Sequence, residues 1–403
     1  MRGRRLVQMF FAAPRRVAAR RWIFYIHLVL GVVFGAYFAL VGATGAVIVF
    51  APEFTYLTLP PVATPLASAA SIPLQEVYER AGRPFPDRFV TRIHWSPQIE
   101  GRYRVTLKSK TDADIDIYAY LDRNTGDILG MEPRWIRWFR ELHYYLLNHT
   151  PGQRLNGVGS VLLGIASISG LVVWWLGSRN WARGFRFNWR ANWRGLNYDA
   201  HRVIGISSLV LLMVWAATGV YFAFPLESQR AIYWLAAESP PFAPESVVID
   251  AGPRPTLDAL LARTTSVIPD GVATSIDPPT TRTGVVRLKV HVPGDYWEIG
   301  RSEIYFDQYT GELRGLHDIR DLSPGRRFAH WMMPLHFGRF GGGLFGRVVT
   351  RATWVVFGMT PVVLFVSGCV MWWNRSLSKQ WRRRTLTKRS ETLQLRPNTA
   401  SLD

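Results

Sequence analysis

The chain has 403 residues, of which 48% are hydrophobic and 13% aromatic, and its formal net charge is +19. The length suits several domains, and the apolar residues are gathered into long blocks, which excludes an ordinary soluble globular protein. The positive charge is clustered rather than spread, so it does not point to nucleic acid. Residues 1–21 carry seven Arg and no acid, 178–199 five Arg and one Asp, and 374–403 eight Lys or Arg and two acids.

In chain order, the basic segment 1–21 leads into the apolar stretch Trp22–Phe50. That run is too long for a cleaved signal peptide, and no small-x-small site follows it. It reads as a retained anchor, the first of four spans at 22–50, 157–177, 200–224 and 347–373. Each is close to or above the roughly 20 apolar residues a bilayer requires. Within their apolar runs, the last two being Val203–Phe224 and Val348–Trp373, no acidic residue occurs and only Arg351 interrupts one. The long connections between spans are nearly balanced in charge, unlike the termini and the loop 178–199. By the positive-inside rule both termini and that loop face the cytoplasm, and the long connections face the periplasm of a bacterial inner membrane.

The first connection, 51–142, opens on a proline-rich linker (Pro60, Pro61, Pro65). SIPLQEVYERAG (71–82) predicts a helix capped by Ser71 with Pro73 in its first turn. FVTRIHW (89–95), RYRVTLKS (102–109) and DIYAYLD (116–122) alternate like strands. A pre-helical segment, 143–156, precedes the second span. The second connection, 225–329, has a linker at 239–245, a helix at TLDALLARTTS (256–266), and strands at VVRLKVHV (285–292) and EIYFD (303–307). Segment 330–346 precedes the fourth span and contains GRFGGG (338–343). One cysteine, Cys369, lies in that span, so the connections have neither disulfide nor thiolate site. The fold class expected is a four-helix membrane bundle carrying two periplasmic α+β modules.

The chain is built twice. His27, Gly31, Thr44-Gly45 and Glu53 recur as His201, Gly205, Thr218-Gly219 and Glu227, at identical offsets. YLDRNTGDILG (120–130) matches YFDQYTGELRG (305–315), whose Asp-x-x-Thr-Gly is a turn with Gly126 or Gly311 at positive φ. Leu142-His143 matches Leu335-His336, and spans two and four both end in Trp-Trp (174–175 and 372–373).

Topology puts His27 and His201 at one membrane face and His143 and His336 at the other. Alone, a membrane histidine is usually an interhelical hydrogen bond. Two depth-matched pairs point instead to axial ligation of haem iron by two neutral imidazoles from facing helices. Gly31 and Gly205 leave room for a flat macrocycle one turn away. Phe24, Phe34, Trp22, Trp193 and Tyr198 could pack its edge, and Arg21 and Arg202 could meet propionates. Zinc would require more ligands than these pairs offer. Copper at His330-Trp331-Met332-Met333 with His336 is a weaker rival. His149 and His330 are alternate ligands. His149 is disfavoured because Pro151-Gly152 would break a helix after it, much as GRFGGG does after His336. His94, His291 and His317 read as surface histidines. Trp95, Arg102, Tyr296, Trp297 and Arg301 look exposed.

The sequence resembles the PepSY-associated transmembrane-helix family, which includes iron-regulated inner-membrane proteins and siderophore reductases. HLVLGVVFGAYFALVGATG, HRVIGISSLVLLMVWAATG, LDRNTGDILG, FDQYTGELRG, LHYYLL, PLHFGRFGGG and the Trp-Trp ends carry the likeness over nearly the whole chain. The resemblance implies PepSY-like modules, two b-type haems held by His27, His201, His143 and His336, and in some members periplasmic reduction of ferric siderophores. The expected activity is therefore electron transfer by an oxidoreductase to a periplasmic acceptor, with ferric siderophore first choice. The cofactor carries the chemistry and no catalytic side chain is required. No G-x-G-x-x-G follows a strand, so a quinol or a separate reductase must be the donor. The rival expectation is a non-enzymatic membrane scaffold whose modules bind a peptide or protein partner.

Overall fold

A computed structural model describes residues 17–62, 71–95, 101–111, 116–240, 244–295, 297, 299–340, 343 and 345–377. Most of the basic N-terminus and C-terminal tail, Pro65, part of the second linker, Tyr296 and part of GRFGGG lie outside the described residues. Four helices are long and apolar enough to cross a membrane: span 1 (Ala19–Ile48), span 2 (His149–Trp174), span 3 (Trp193–Ala223) and span 4 (Thr350–Ser376). In hydrocarbon a helix satisfies its own backbone donors and acceptors, so these apolar runs have one stable form available. The chain divides into two compact units, each described by itself: Met1–Ala43 with Gly159–Ala217 and Val356–Asp403, and Thr44–Val158 with Thr218–Val355.

The first unit is helical. Span 1 widens into a π-helical turn at Leu30–Phe34, an irregularity that recurs at functional sites. Span 4 is interrupted at Met359, with Pro361 in the first turn of Thr360–Trp372, because a proline cannot donate to the preceding turn.

The second unit is organised on an antiparallel sheet. Its first half supplies β1 (Arg88–His94), β2 (Arg102–Ser109), β3 (Ile117–Asp122) and β4 (Ile128–Met131). The second half supplies β5 (Val272–Asp277), β6 (Val285–His291), β7 (Ser302–Asp307) and β8 (Leu313–His317). The two modules join into one eight-stranded sheet, ordered β4-β3-β2-β1-β5-β6-β7-β8. The seam pairs Ile93 with Ile276 and His94 with Ser275. The sequence pattern predicts neither β4 nor β8, which are only four and five residues long, nor β5, whose VATSID has no clear apolar alternation.

One sheet face is apolar. Ile93, Val105, Ala119, Ile276, Leu288 and Ile304 pack there against Val77 and Ala81 of helix Leu74–Gly82 and Leu260 of helix Leu257–Ala262. Ser71 is not the cap of the first of these helices. Pro73 takes the cap position, and Asp258 of the other module accepts from the Leu74 and Gln75 amides at 2.7 and 3.0 Å. A carboxylate is a stronger acceptor than a hydroxyl and complements the helix dipole. The Asp-x-x-Thr-Gly turns form as expected, with φ of +74° at Gly126 and +70° at Gly311. Asp122 and Asp307 each accept from the two amides that follow, at 2.7 to 3.1 Å.

Helices Arg134–Tyr145 and Pro324–Phe337 carry His143 and His336. Pro151-Gly152 does not break a helix. Both lie within the opening turns of span 2, where proline loses no bond. The break falls earlier, at Leu146 (φ +48°) and Leu147 (φ +61°).

Candidate cofactor site

In the first unit His27 and His201 face each other, ring centres 6.3 Å apart and planes 82° apart. His27 Nδ1 lies 3.0 Å from the Ala166 carbonyl and 3.2 Å from Ser169 Oγ. His201 Nδ1 lies 2.9 Å from Ser367 Oγ. A carbonyl only accepts, so Nδ1 of His27 carries the proton and Nε2 keeps its lone pair. Each ring rests on a glycine one residue beyond its serine. A Cβ would come within 3.0 Å of the His27 ring at Gly170 and 3.4 Å of the His201 ring at Gly368. Ser169-Gly170 and Ser367-Gly368 occupy equivalent repeat positions, counted back from the Trp-Trp ends.

The pair opens on a cavity of about 760 Å³, within the range of cofactor pockets. Gly31 and Gly205 line it, and a Cβ at Gly31 would meet nothing within 4 Å. Phe24, Tyr198 and Arg202 line it as expected, together with Arg194 and Arg375. Trp22, Phe34, Trp193 and Arg21 are not among its described lining residues. Trp22 is 73% exposed, and Arg21 lies over Tyr25. Arg202 is held by Asp199 at 2.7 Å and by the Arg186 carbonyl, which leaves Arg194 and Arg375 the better placed cations.

The second unit repeats the arrangement. His143 and His336 stand 6.2 Å apart, planes 54° apart. Thr44 Oγ1 lies 3.3 Å from His143 Nδ1, and Thr218 Oγ1 lies 2.8 Å from His336 Nδ1. Burial, then the neighbouring His143, pushes His336 down to about 3, so its imidazole is neutral and available as a ligand. Phe222 and Phe337 pack edge-on to His336.

His149 has Tyr145 as its ring neighbour, at 6.4 Å. His330 is six residues from His336 on one helix, about 120° around it, so the two do not converge as a copper site needs. No group of three or more His, Cys, Asp or Glu that could hold a metal occurs among the described residues.

Several surface assignments change. His94 is 2% exposed and Trp297 8%. Arg301 is bound to Asp295 at 2.8 Å. Trp95 is half-buried, edge-on to Tyr103 at 6.3 Å, and Arg102 is half-buried. His291 and His317 are half-buried, beside the Asp295 carbonyl and the Tyr305 hydroxyl.

The family model for the PepSY-associated TM region matches residues 24–375. The chain belongs to this family. With its four apolar helices it is a multi-pass membrane protein. No curated protein matches the chain.

Proposed function

We propose that this PepSY-associated membrane protein is a di-haem, b-type electron carrier of the bacterial inner membrane. The observation that carries the reading is the spacing of the two imidazole pairs. A metal–imidazole bond is about 2.0–2.1 Å, and the ring centre lies roughly 1.1 Å behind the nitrogen. Two rings on opposite sides of one metal therefore have centres about 6.3 Å apart. The pairs stand at 6.3 and 6.2 Å. Two imidazoles per site, with open space at Gly31, would suit a haem, which needs only two ligands from the protein.

The protein's work is binding and orientation. His27 and His201 would hold one haem, His143 and His336 the other. The hydroxyls of Ser169, Ser367, Thr44 and Thr218 meet the rings at Nδ1, which would leave Nε2 for the metal and raise its basicity. Arg194 and Arg375 supply cations at the first cavity. A bound haem supplies one-electron transfer.

Electrons enter from a quinol or a separate reductase on the cytoplasmic side, where both termini lie. They leave to a periplasmic acceptor, for which ferric siderophore is the chosen candidate. Reduction to Fe(II) weakens its hold by hard oxygen ligands and frees the metal.

The test is the spectrum of the purified protein. Low-spin b-type bands at about two haems per chain are expected. His27→Ala and His201→Ala should each remove the same one. A colourless folded protein from haem-replete cells refutes the reading and favours a scaffold. Stopped-flow oxidation of the reduced protein by a panel of ferric siderophores tests the acceptor. If none accelerates oxidation, that assignment falls.

A further inference from the structure

The connection from span 2 to span 3, with the first turn of span 3, carries a surface that the cofactor site does not account for. Five arginines lie here, Arg179, Arg183, Arg186, Arg190 and Arg194, and residues 178–198 contain no acid. All five are exposed. The nearest acid in sequence, Asp199, is taken by Arg202 at 2.7 Å, and none of the five has a carboxylate partner among the described residues. Four aromatic residues are interleaved with them and are also exposed: Trp181, Phe185, Trp193 and, at 81%, Trp189.

This surface is held in place. Trp174 Nε1 donates to the Gly184 carbonyl at 3.2 Å, and a Cβ at Gly184 would come within 2.5 Å of the Trp174 ring. Phe185 packs edge-on to Trp174 and Trp181, at 5.1 and 5.9 Å. The Asn188 amide donates to Asp199 at 3.1 Å, and Arg202 donates to the Arg186 carbonyl. The same contacts reach the cofactor cavity. Trp174 and Arg194 both line it, so a single side chain, Trp174, stands between the exposed Phe185 ring and the cavity that His27 and His201 share.

Composition and charge say what the surface meets. Arginine and tryptophan carry much of the binding energy of protein interfaces, and an ordered surface loses less freedom on binding. Unpaired positive charge selects a partner of opposite sign and speeds encounter. Redox partners make small, brief interfaces. A neutral quinol would approach through hydrocarbon and gain nothing from five guanidinium groups. Anionic headgroups also attract basic segments, but that attraction needs no ordered loop.

We propose that this surface docks an acidic, soluble one-electron carrier protein of the flavodoxin or ferredoxin class, and that this carrier is the electron donor. The donor's reduced cofactor loses one electron and the acceptor in the cavity gains one. No bond is made and no proton moves. The donor role rests on the electron-carrier reading, whereas the docking surface does not.

The experiment uses the full-length protein in phosphatidylcholine nanodiscs, which hold no anionic lipid, with flavodoxin as the probe. Oxidised flavodoxin should bind by calorimetry, about tenfold more weakly at about 300 mM salt than at about 20 mM. The triple substitution Arg183→Gln, Arg186→Gln and Arg190→Gln should weaken low-salt binding about tenfold and flatten its salt dependence. Trp189→Ala should weaken binding several-fold at either salt. If the thermal midpoint of the triple variant falls, Trp189→Ala carries the test. Stopped-flow reduction by flavodoxin hydroquinone should slow in step with binding, while reduction by neutral duroquinol should not slow. No binding, binding that neither the arginine nor the tryptophan change weakens, or equal slowing with duroquinol overturns the proposal. So does an effect of the arginines seen only after phosphatidylglycerol is added, which assigns the surface to lipid. A colourless protein that still binds flavodoxin refutes the haem reading and leaves the docking surface standing.

Discussion

Thr218→Val tests the orientation of the second pair with little change of shape. Valine keeps the volume and branching of threonine and deletes the hydroxyl 2.8 Å from His336 Nδ1. Thr218 is 1% exposed, so water is poorly placed to replace it. Removing a hydrogen bond to a buried polar group costs about 1–3 kcal/mol, or roughly five- to 150-fold in an equilibrium constant. That brackets the 10–100-fold effect typical of the groups that orient metal ligands. Half of the expected haem, the share held by His143 and His336, should become loosely held and wash out on dilution. In the fraction retained, the imidazole is less basic and stabilises the ferric form less, so the midpoint potential should rise by tens of millivolts, since about 59 mV is tenfold for one electron. Thr44→Val removes a longer contact, 3.3 Å, and should do the same more weakly. The assays are pyridine haemochrome content after gel filtration and a redox titration. Unchanged content and potential in Thr218→Val, or a larger effect of Thr44→Val, refutes the hydroxyl's orienting role.

Two further outcomes follow from other sites. Gly31→Leu places a side chain in open space beside the first pair. It should leave the helices intact by circular dichroism and reduce haem from about two to about one per chain, and retention of both shows that the cavity is not where the macrocycle lies. Asp307 is buried, which opposes ionisation, but donors from Tyr309, Val247, Thr310 and Arg314 outweigh that and hold it at about 2. Its folded pKa lies below its unfolded one, so its contribution is complete above about pH 4 and is lost as pH falls through 2. Asp307→Asn should therefore flatten the acid limb of stability between those values, which a melting series from pH 2 to 6 reads directly.

The spans, the turns at Gly126 and Gly311 and the facing histidines were legible because each leaves a local or repeated signature. Long apolar runs admit one backbone solution, an αL position selects glycine, and a duplication exposes equivalent histidines by their shared offsets. The joined sheet was not legible. Its seam pairs residues of β1 and β5 that are far apart in sequence, and nothing local encodes that register. Ser169 and Ser367 were missed for another reason. A serine in an apolar helix ordinarily bonds back to its own backbone, and both do so here, to Ala166 and Val363. The signal that could have found them was their common distance from Trp-Trp. His94 was misplaced because alternation assigns a face but cannot say what covers it.

The repeat also explains its last shared residue. In each half, hydroxyl and histidine are brought together internally: Thr44 with His143, Thr218 with His336, Ser169 with His27, Ser367 with His201. The facing imidazole always comes from the other half. Glu53 and Glu227 follow the second rule, since Glu53 binds Arg351 and Glu227 binds Arg154. These equivalent ion pairs should differ in energy. Arg351 is buried, with its side chain 8% exposed, and its guanidinium also bonds the Val49 carbonyl and stacks over Phe50. Removing one partner of a buried pair strands the other, a loss of about 3–5 kcal/mol when both are fully enclosed. Glu53 is itself 46% exposed, so about half of that is expected. Arg154 and Glu227 are 50% and 52% exposed, and such pairs contribute about 0–1 kcal/mol. Glu53→Gln should therefore lower the denaturation midpoint clearly and Glu227→Gln hardly at all, measured on the protein in one detergent at fixed salt. Raising the salt should leave the Glu53→Gln loss nearly unchanged, because that pair is poorly screened, and should shrink the small Glu227→Gln loss further. Equal losses from the two substitutions would show that position in the repeat, rather than burial, sets the energy of these contacts.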